Sequence, residues 1–106
     1  MDSGNSFRIF FKPAGCAPCH AMRNLLAGIE KVAGIPIDWV DCSTPEGVYE
    51  ALSRGVRTVP CAILYKDGLE AWRRAGISGA PMLMKAAEDA GICDLEEVCD
   101  GVRQAQ

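Results

Sequence analysis

The chain has no run of lysine and arginine. Its 11 basic and 14 acidic residues are mixed through 106 positions, with a formal net charge of −3. Nucleic-acid binding needs a basic patch or stripe to neutralise phosphates, so that class of partner is not expected. No uninterrupted apolar stretch approaches the ~20 residues of a membrane-spanning helix, and no membrane association is expected either. The opening residues Met1–Ser6 are short and polar, without the basic start and apolar middle of a secretory signal. A soluble, cytoplasmic, monomeric protein is expected. Internal repeats, low-complexity tracts and linkers are also missing. That fits a single domain over 1–106, with its core over about 6–90 and a tail over 91–106. Charge mixing fails only at Asp94–Asp100, which carries four acids and no base.

Two things are plentiful. Apolar residues make up 49% of the chain, enough for one modest core. Cysteine occurs six times, at Cys16, Cys19, Cys42, Cys61, Cys93 and Cys99. An even count in a small chain can mean a disulfide scaffold. The periodic apolar segments do not need staples, however, and cytosolic cysteines are more often catalytic or metal-binding. Their spacing therefore carries the information.

Phe7–Phe11 (F-R-I-F-F) ends at Lys12-Pro13-Ala14-Gly15 and reads as a buried strand. From Cys16 to Ala33, apolar residues recur at three- and four-residue spacing, which predicts an amphipathic helix closed by Gly34, with Pro18 in its first turn. Ile35–Asp41 reads as a second strand. Ser43-Thr44-Pro45-Glu46 opens a helix over about Pro45–Arg54, closed by Gly55. Cys61–Tyr65 and Leu69–Ala75 are strands joined by the hairpin signal Lys66-Asp67-Gly68. Ser78–Ala90 is a last helix, with Ser78 as its cap and Pro81 in its first turn. The tail is either a short acidic helix or partly disordered. Strands alternating with helices, then a hairpin, predict an α/β fold of order β-α-β-α-β-β-α with a four-stranded mixed sheet flanked by helices.

The segment Lys12-Pro13-Ala14-Gly15-Cys16-Ala17-Pro18-Cys19-His20 sits where a strand hands over to a helix. The first N–H groups of a helix have no internal partner, and the aligned peptide dipoles make that end positive. A thiolate at Cys16 would accept those N–H groups. Cysteines so placed have pKa values lowered to between ~3.5 and ~7.5, and thiolate is the species that attacks disulfides. Cys19, one turn on, can close on Cys16 and displace a reduced product. Cys16 is thus the candidate nucleophile and Cys19 the resolving thiol, with Pro18 limiting the backbone between them. The competing readings are half of a zinc site, which needs a second ligand pair nearby, and a structural disulfide, whose small ring stabilises little.

At this point the sequence resembles the thioredoxin and glutaredoxin families over about Ser6–Ala90. Three features carry the resemblance: Cys16-Ala17-Pro18-Cys19 at a strand–helix junction, Thr58-Val59-Pro60 before a strand, and the Lys66-Asp67-Gly68 turn. It implies a compact thioredoxin-like fold without the first strand and helix of thioredoxin. It also implies a cis Pro60 facing the sulfurs and a Val59 backbone that pairs with an extended substrate, so that disulfide-containing proteins are the expected substrates. The implied electron donor is a flavin-dependent disulfide reductase. No cofactor or metal is expected beyond the redox-active Cys16–Cys19 disulfide.

This chain departs from the family patterns at several positions. Gly15 stands where thioredoxins have tryptophan, and Phe10 where they have a buried proton-relaying acid. His20 is then the nearest titratable candidate to assist Cys19, or else an exposed helix residue without a role. Lys12 resembles the lysine that helps glutaredoxins hold glutathione. However, Gly76–Pro81 lacks their carboxylate-binding pattern, so thioredoxin-like electron transfer is favoured over glutathione-linked activity. Cys61 follows Pro60 and reads as a buried small hydrophobe or an auxiliary thiol. A metal carrier using Cys16, Cys19 and Cys61, and a redox-inert interaction domain, complete the alternatives.

Overall fold

The run F-R-I-F-F forms strand β1 (Ser6–Phe11), and the two-residue period of a strand sends its side chains to opposite faces. Phe7 and Ile9, fully buried, pack on one side with Met22, Leu26, Leu83, Ala86 and Ala87; Phe10, also fully buried, packs on the other with Ala51, Val56 and Ile63. Burying a side chain of this kind stabilises by about 1.5–3 kcal/mol, so both faces of β1 must be covered by other elements.

The computed structural model describes residues 4–92. After β1 come helix α1 (Ala17–Leu25), strands β2 (Lys31–Val32) and β3 (Ile35–Asp41), helix α2 (Pro45–Ser53), strands β4 (Cys61–Lys66) and β5 (Leu69–Ala75), and helix α3 (Ala80–Asp89). The sheet has five strands in the order β2-β3-β1-β4-β5. Strand β1 runs parallel to β3 and antiparallel to β4, and β5 is antiparallel to β4. Helices α1 and α3 supply one core cluster and α2 the other, so the sheet is covered on both faces.

The register places Phe11 beside Asp41, Phe10 beside Cys61, and Cys61 beside Ala75. The loops that follow β1, β3 and β5, and the loop that precedes β4, therefore all leave the same end of the sheet. Among the described residues, no helix is long and apolar enough to cross a membrane.

Three expectations need correction. The helix predicted over Cys16–Ala33 stops at Leu25. Gly28 takes φ +78°, a turn conformation, and the chain then forms β2, pairing Lys31 with Pro36 and Val32 with Ile35. Val32 is buried by a strand rather than by a longer helix. Ala33 and Gly34 both have positive φ, the type I′ hairpin pattern. This hairpin supplies the fifth strand that the four-strand expectation missed.

The last correction concerns Ser78, which does not cap α3. Gly79 occupies the N-cap without a side-chain bond, and the Ser78 hydroxyl is turned into the interior, fully buried with no hydrogen-bond partner among the described residues.

Elsewhere the local signals act as read. Asp67 and Gly68 form the other type I′ turn, at φ 54° and 83°. Thr44 caps α2 by accepting the Gly47 N–H at 3.0 Å. Gly91 and Ile92 follow α3; the rest of the tail, with Cys93 and Cys99, lies outside the described residues.

Candidate active site

The turn after β1 ends at Gly15, whose φ of +73° suits glycine and strains other residues. It delivers Cys16 to the N-cap of α1 in an extended conformation, φ −141° and ψ 96°. An N-cap side chain accepts N–H groups from the first turn. Here the Cys16 sulfur takes the place usually filled by an oxygen, accepting the Cys19 N–H at 3.2 Å. Pro18 has no N–H to offer, and the first turn holds no acidic residue to oppose negative charge on that sulfur. The helix end thus favours a thiolate at Cys16.

Cys16 and Cys19 are joined as a disulfide, with their Cα atoms 5.2 Å apart. The two sulfurs are not equivalent. Cys16 is half-buried, whereas Cys19 is only 1% exposed, so of the two sulfurs Cys16 is the more open to solvent. The Cys19 sulfur accepts the backbone N–H of Lys12 at 3.4 Å, the second donor aimed at the pair. The contribution of Lys12 to the dithiol is thus through its main chain, its side chain being exposed.

Across from α1 lies the segment Thr58-Val59-Pro60. The Val59–Pro60 peptide bond is cis, and the Val59 carbonyl oxygen is 3.9 Å from the Cys16 sulfur. Pro60 is buried, and its carbonyl accepts the Gly76 N–H at 2.8 Å, tying this loop to the end of β5. Val59 is half-buried and Thr58 exposed. The Val59 main chain thus flanks Cys16 on one side, with the exposed Ala17 and Pro18 following it in the chain.

His20 is exposed, and its Nε2–H donates to the Pro13 carbonyl at 2.7 Å. That bond ties the loop before Cys16 to α1. Phe10 carries no acid, and its ring packs on the α2 side with Cys42, Ala51 and Val56.

Cys61 belongs to the same α2-side cluster, beside Ile63 and Tyr65, and is free and buried. Burial pushes its thiol above the ordinary range, because the charged form would lose water. Cys42 is likewise free, buried and raised, mainly by burial. Burial thus disfavours the thiolate at both positions. Among the described residues, no three histidine, cysteine or acidic side chains converge to hold a metal ion.

Sequence reading gave no notice of Gly47 or Arg23. A Cβ at Gly47 would lie 1.8 Å from the Asp41 carbonyl oxygen, so α2 can pack on the end of β3 only with glycine there. The Arg23 guanidinium sits 5.0 Å from the Phe11 ring centroid and 4.6 Å from that of Trp39. Its position, seven after Cys16 and so on the same helical stripe, was the available signal.

Neither a family model nor a curated protein sequence matches the chain. Solved structures do. A mutant thioredoxin from Halobacterium salinarum aligns with 84% of this chain and 75% of its own, at TM-score 0.69 and 19% identity. Fasciola hepatica thioredoxin covers 82% of each chain at TM-score 0.67 and 20% identity. The short form of spinach chloroplast thioredoxin f covers 85% and 79% at TM-score 0.66 and 23% identity. At such identities the likeness is one of architecture, and the chain has a thioredoxin-like fold.

Proposed function

We propose that the chain is a thiol–disulfide oxidoreductase that reduces protein disulfides through Cys16 and Cys19. The observation that carries this reading is the Cys16 sulfur at the N-cap of α1. It accepts the Cys19 N–H, is half-open to solvent, and faces the Val59 carbonyl at 3.9 Å.

In the reduced protein the Cys16 thiolate attacks one sulfur of the substrate disulfide. The S–S bond breaks, a mixed disulfide forms, and the other substrate sulfur leaves as a thiolate that takes a proton from water. Cys19 then gives up its proton. With no carboxyl at Phe10, that proton passes to water, and the Lys12 N–H stabilises the developing charge on sulfur. Attack of Cys19 on the Cys16 sulfur restores the intramolecular disulfide and expels the second substrate thiolate. Two electrons have moved from the dithiol to the substrate. A flavin-dependent disulfide reductase is the proposed source of the electrons that reset the pair. The Val59 main chain supports a substrate held in extended form, with little demand on its side chains.

The test is insulin reduction driven by dithiothreitol. Wild type should accelerate it, Cys16→Ser should return it to the uncatalysed rate, and Cys19→Ser should accumulate mixed disulfides through Cys16. Equal activity of wild type and Cys16→Ser would remove the proposal.

A further inference from the structure

Helix α1 carries a second feature besides the dithiol. Cys16, His20 and Arg23 follow one another at four- and three-residue intervals, so they lie along one stripe of the helix. Beside the lower part of that stripe is a cavity of about 350 Å³ lined by Phe11, Pro13, His20, Arg23 and Asn24. Among the described residues, no carboxylate lines it. The Arg23 guanidinium is held against the Phe11 and Trp39 rings, which are 5.3 Å apart edge to face. It forms no ion pair among the described residues. Asp41, the register partner of Phe11, has its Oδ1 engaged by the N–H and hydroxyl of Ser43.

Cation–π contact of this kind orients a guanidinium, at about 0.5–1 kcal/mol in an exposed setting, without using its N–H donors. The cavity therefore offers a pre-positioned fork of donors, with the exposed Asn24 beside it and, among the described residues, no negative group lining it.

We infer that this cavity is a specificity subsite that takes an acidic side chain of the polypeptide whose disulfide Cys16 attacks. The inference rests on the oxidoreductase reading and adds a substrate preference to it. Arg23 lies seven positions after Cys16, roughly 10 Å along the helix at 1.5 Å rise each. An extended polypeptide covers that in about three residues. The acid that fits is therefore an aspartate or glutamate about three positions from the attacked cysteine. The main-chain pairing at Val59 is indifferent to side chains, so Arg23 would discriminate where Val59 does not.

The experiment uses the full chain, pre-reduced and freed of reductant. It is mixed with three disulfide-linked peptides that are identical except for Glu, Gln or Lys three residues from the cysteine. Product formed in a single turnover is quenched with acid and quantified. The Glu peptide should react about two- to fivefold faster than the Gln peptide, the range of a partly exposed charge pair, and the Lys peptide should be slowest. Added salt should shrink the differences. In Arg23→Gln the ratio of Glu-peptide to Gln-peptide rates should fall to about one, and Arg23→Lys should restore part of it. Because the readout is a ratio within one variant, a general loss of stability would not mimic the result. Equal rates for the three peptides in wild type, or a Glu preference that survives Arg23→Gln, would overturn the subsite and leave the oxidoreductase reading standing. A wild type inert toward all three would overturn both.

Discussion

Replacing Gly47 by alanine would add a Cβ that lies 1.8 Å from the Asp41 carbonyl oxygen, 2.6 Å from its carbon and 3.2 Å from Cys42 Cα. All three are backbone atoms, so no rotamer change relieves the clash. The first turn of α2 has to lift from the end of β3 by more than 1 Å. Overpacking of this sort costs about 1–3 kcal/mol, and a clash with main chain belongs at the upper end. The lift also strains the cap in which Thr44 accepts the Gly47 N–H, a bond whose loss costs about 1 kcal/mol. Alanine's better helix propensity offsets about the same amount. The net expectation is a loss of about 3 kcal/mol. For a domain of this size each kcal/mol shifts Tm by roughly 4–8 °C, so Tm should fall by roughly 12–24 °C in thermal unfolding followed by circular dichroism. Gly55→Ala is the control: it has a positive φ of 72° but nothing within 4 Å of its added Cβ, and should lose only the backbone part. A Gly47→Ala protein within about 3 °C of wild type would refute the claim that this glycine seats α2 on the sheet.

Two further outcomes follow from the site. Gly15→Ala meets no atom within 4 Å but must hold φ near +73°, so it should cost roughly 1–2 kcal/mol in chemical unfolding while still forming the Cys16–Cys19 disulfide. The buried thiols of Cys42 and Cys61 have folded pKa values raised above the ordinary 9.0. Their neutral forms are favoured in the folded state, so the stability they support is fully present below pH 9 and is lost as pH rises through the folded values. Unfolding free energy measured from pH 7 to 11 should decline above about 9, and Cys61→Ala should reduce the slope of that decline.

Much of this molecule is legible in its sequence where local chemistry decides the structure. The F-R-I-F-F run, the Asp67-Gly68 turn, the Thr44-Pro45 helix start and the dithiol junction each carry their own instruction. The hairpin at Ala33-Gly34 did not read, because Ile29 and Val32 fit a helical period as well as they fit a turn and a short strand. Only the competition of β2 for the edge of β3 decides between them. Ser78 misled for a related reason: a serine before a helix usually caps it, but here the hydroxyl is turned inward and Gly79 takes the cap. The dithiol and its opposing Thr58-Val59-Pro60 loop were readable as separate motifs. Their 3.9 Å approach depends on β1 and β4 being neighbours, a fact of topology rather than of any one segment. The need for glycine at 47 and the clamp on Arg23 arise from elements far apart in the chain, which no local pattern displays.

The most direct test of the account is the pH dependence of alkylation at each cysteine of the reduced protein, read site by site by mass spectrometry. Cys16 should react first, with a midpoint clearly below that of a free thiol. Cys42 and Cys61 should stay protected until the protein unfolds. A midpoint for Cys16 at or above the free-thiol value, or earlier modification of Cys42 or Cys61, would contradict the assignment of Cys16 as the activated nucleophile at the N-cap of α1.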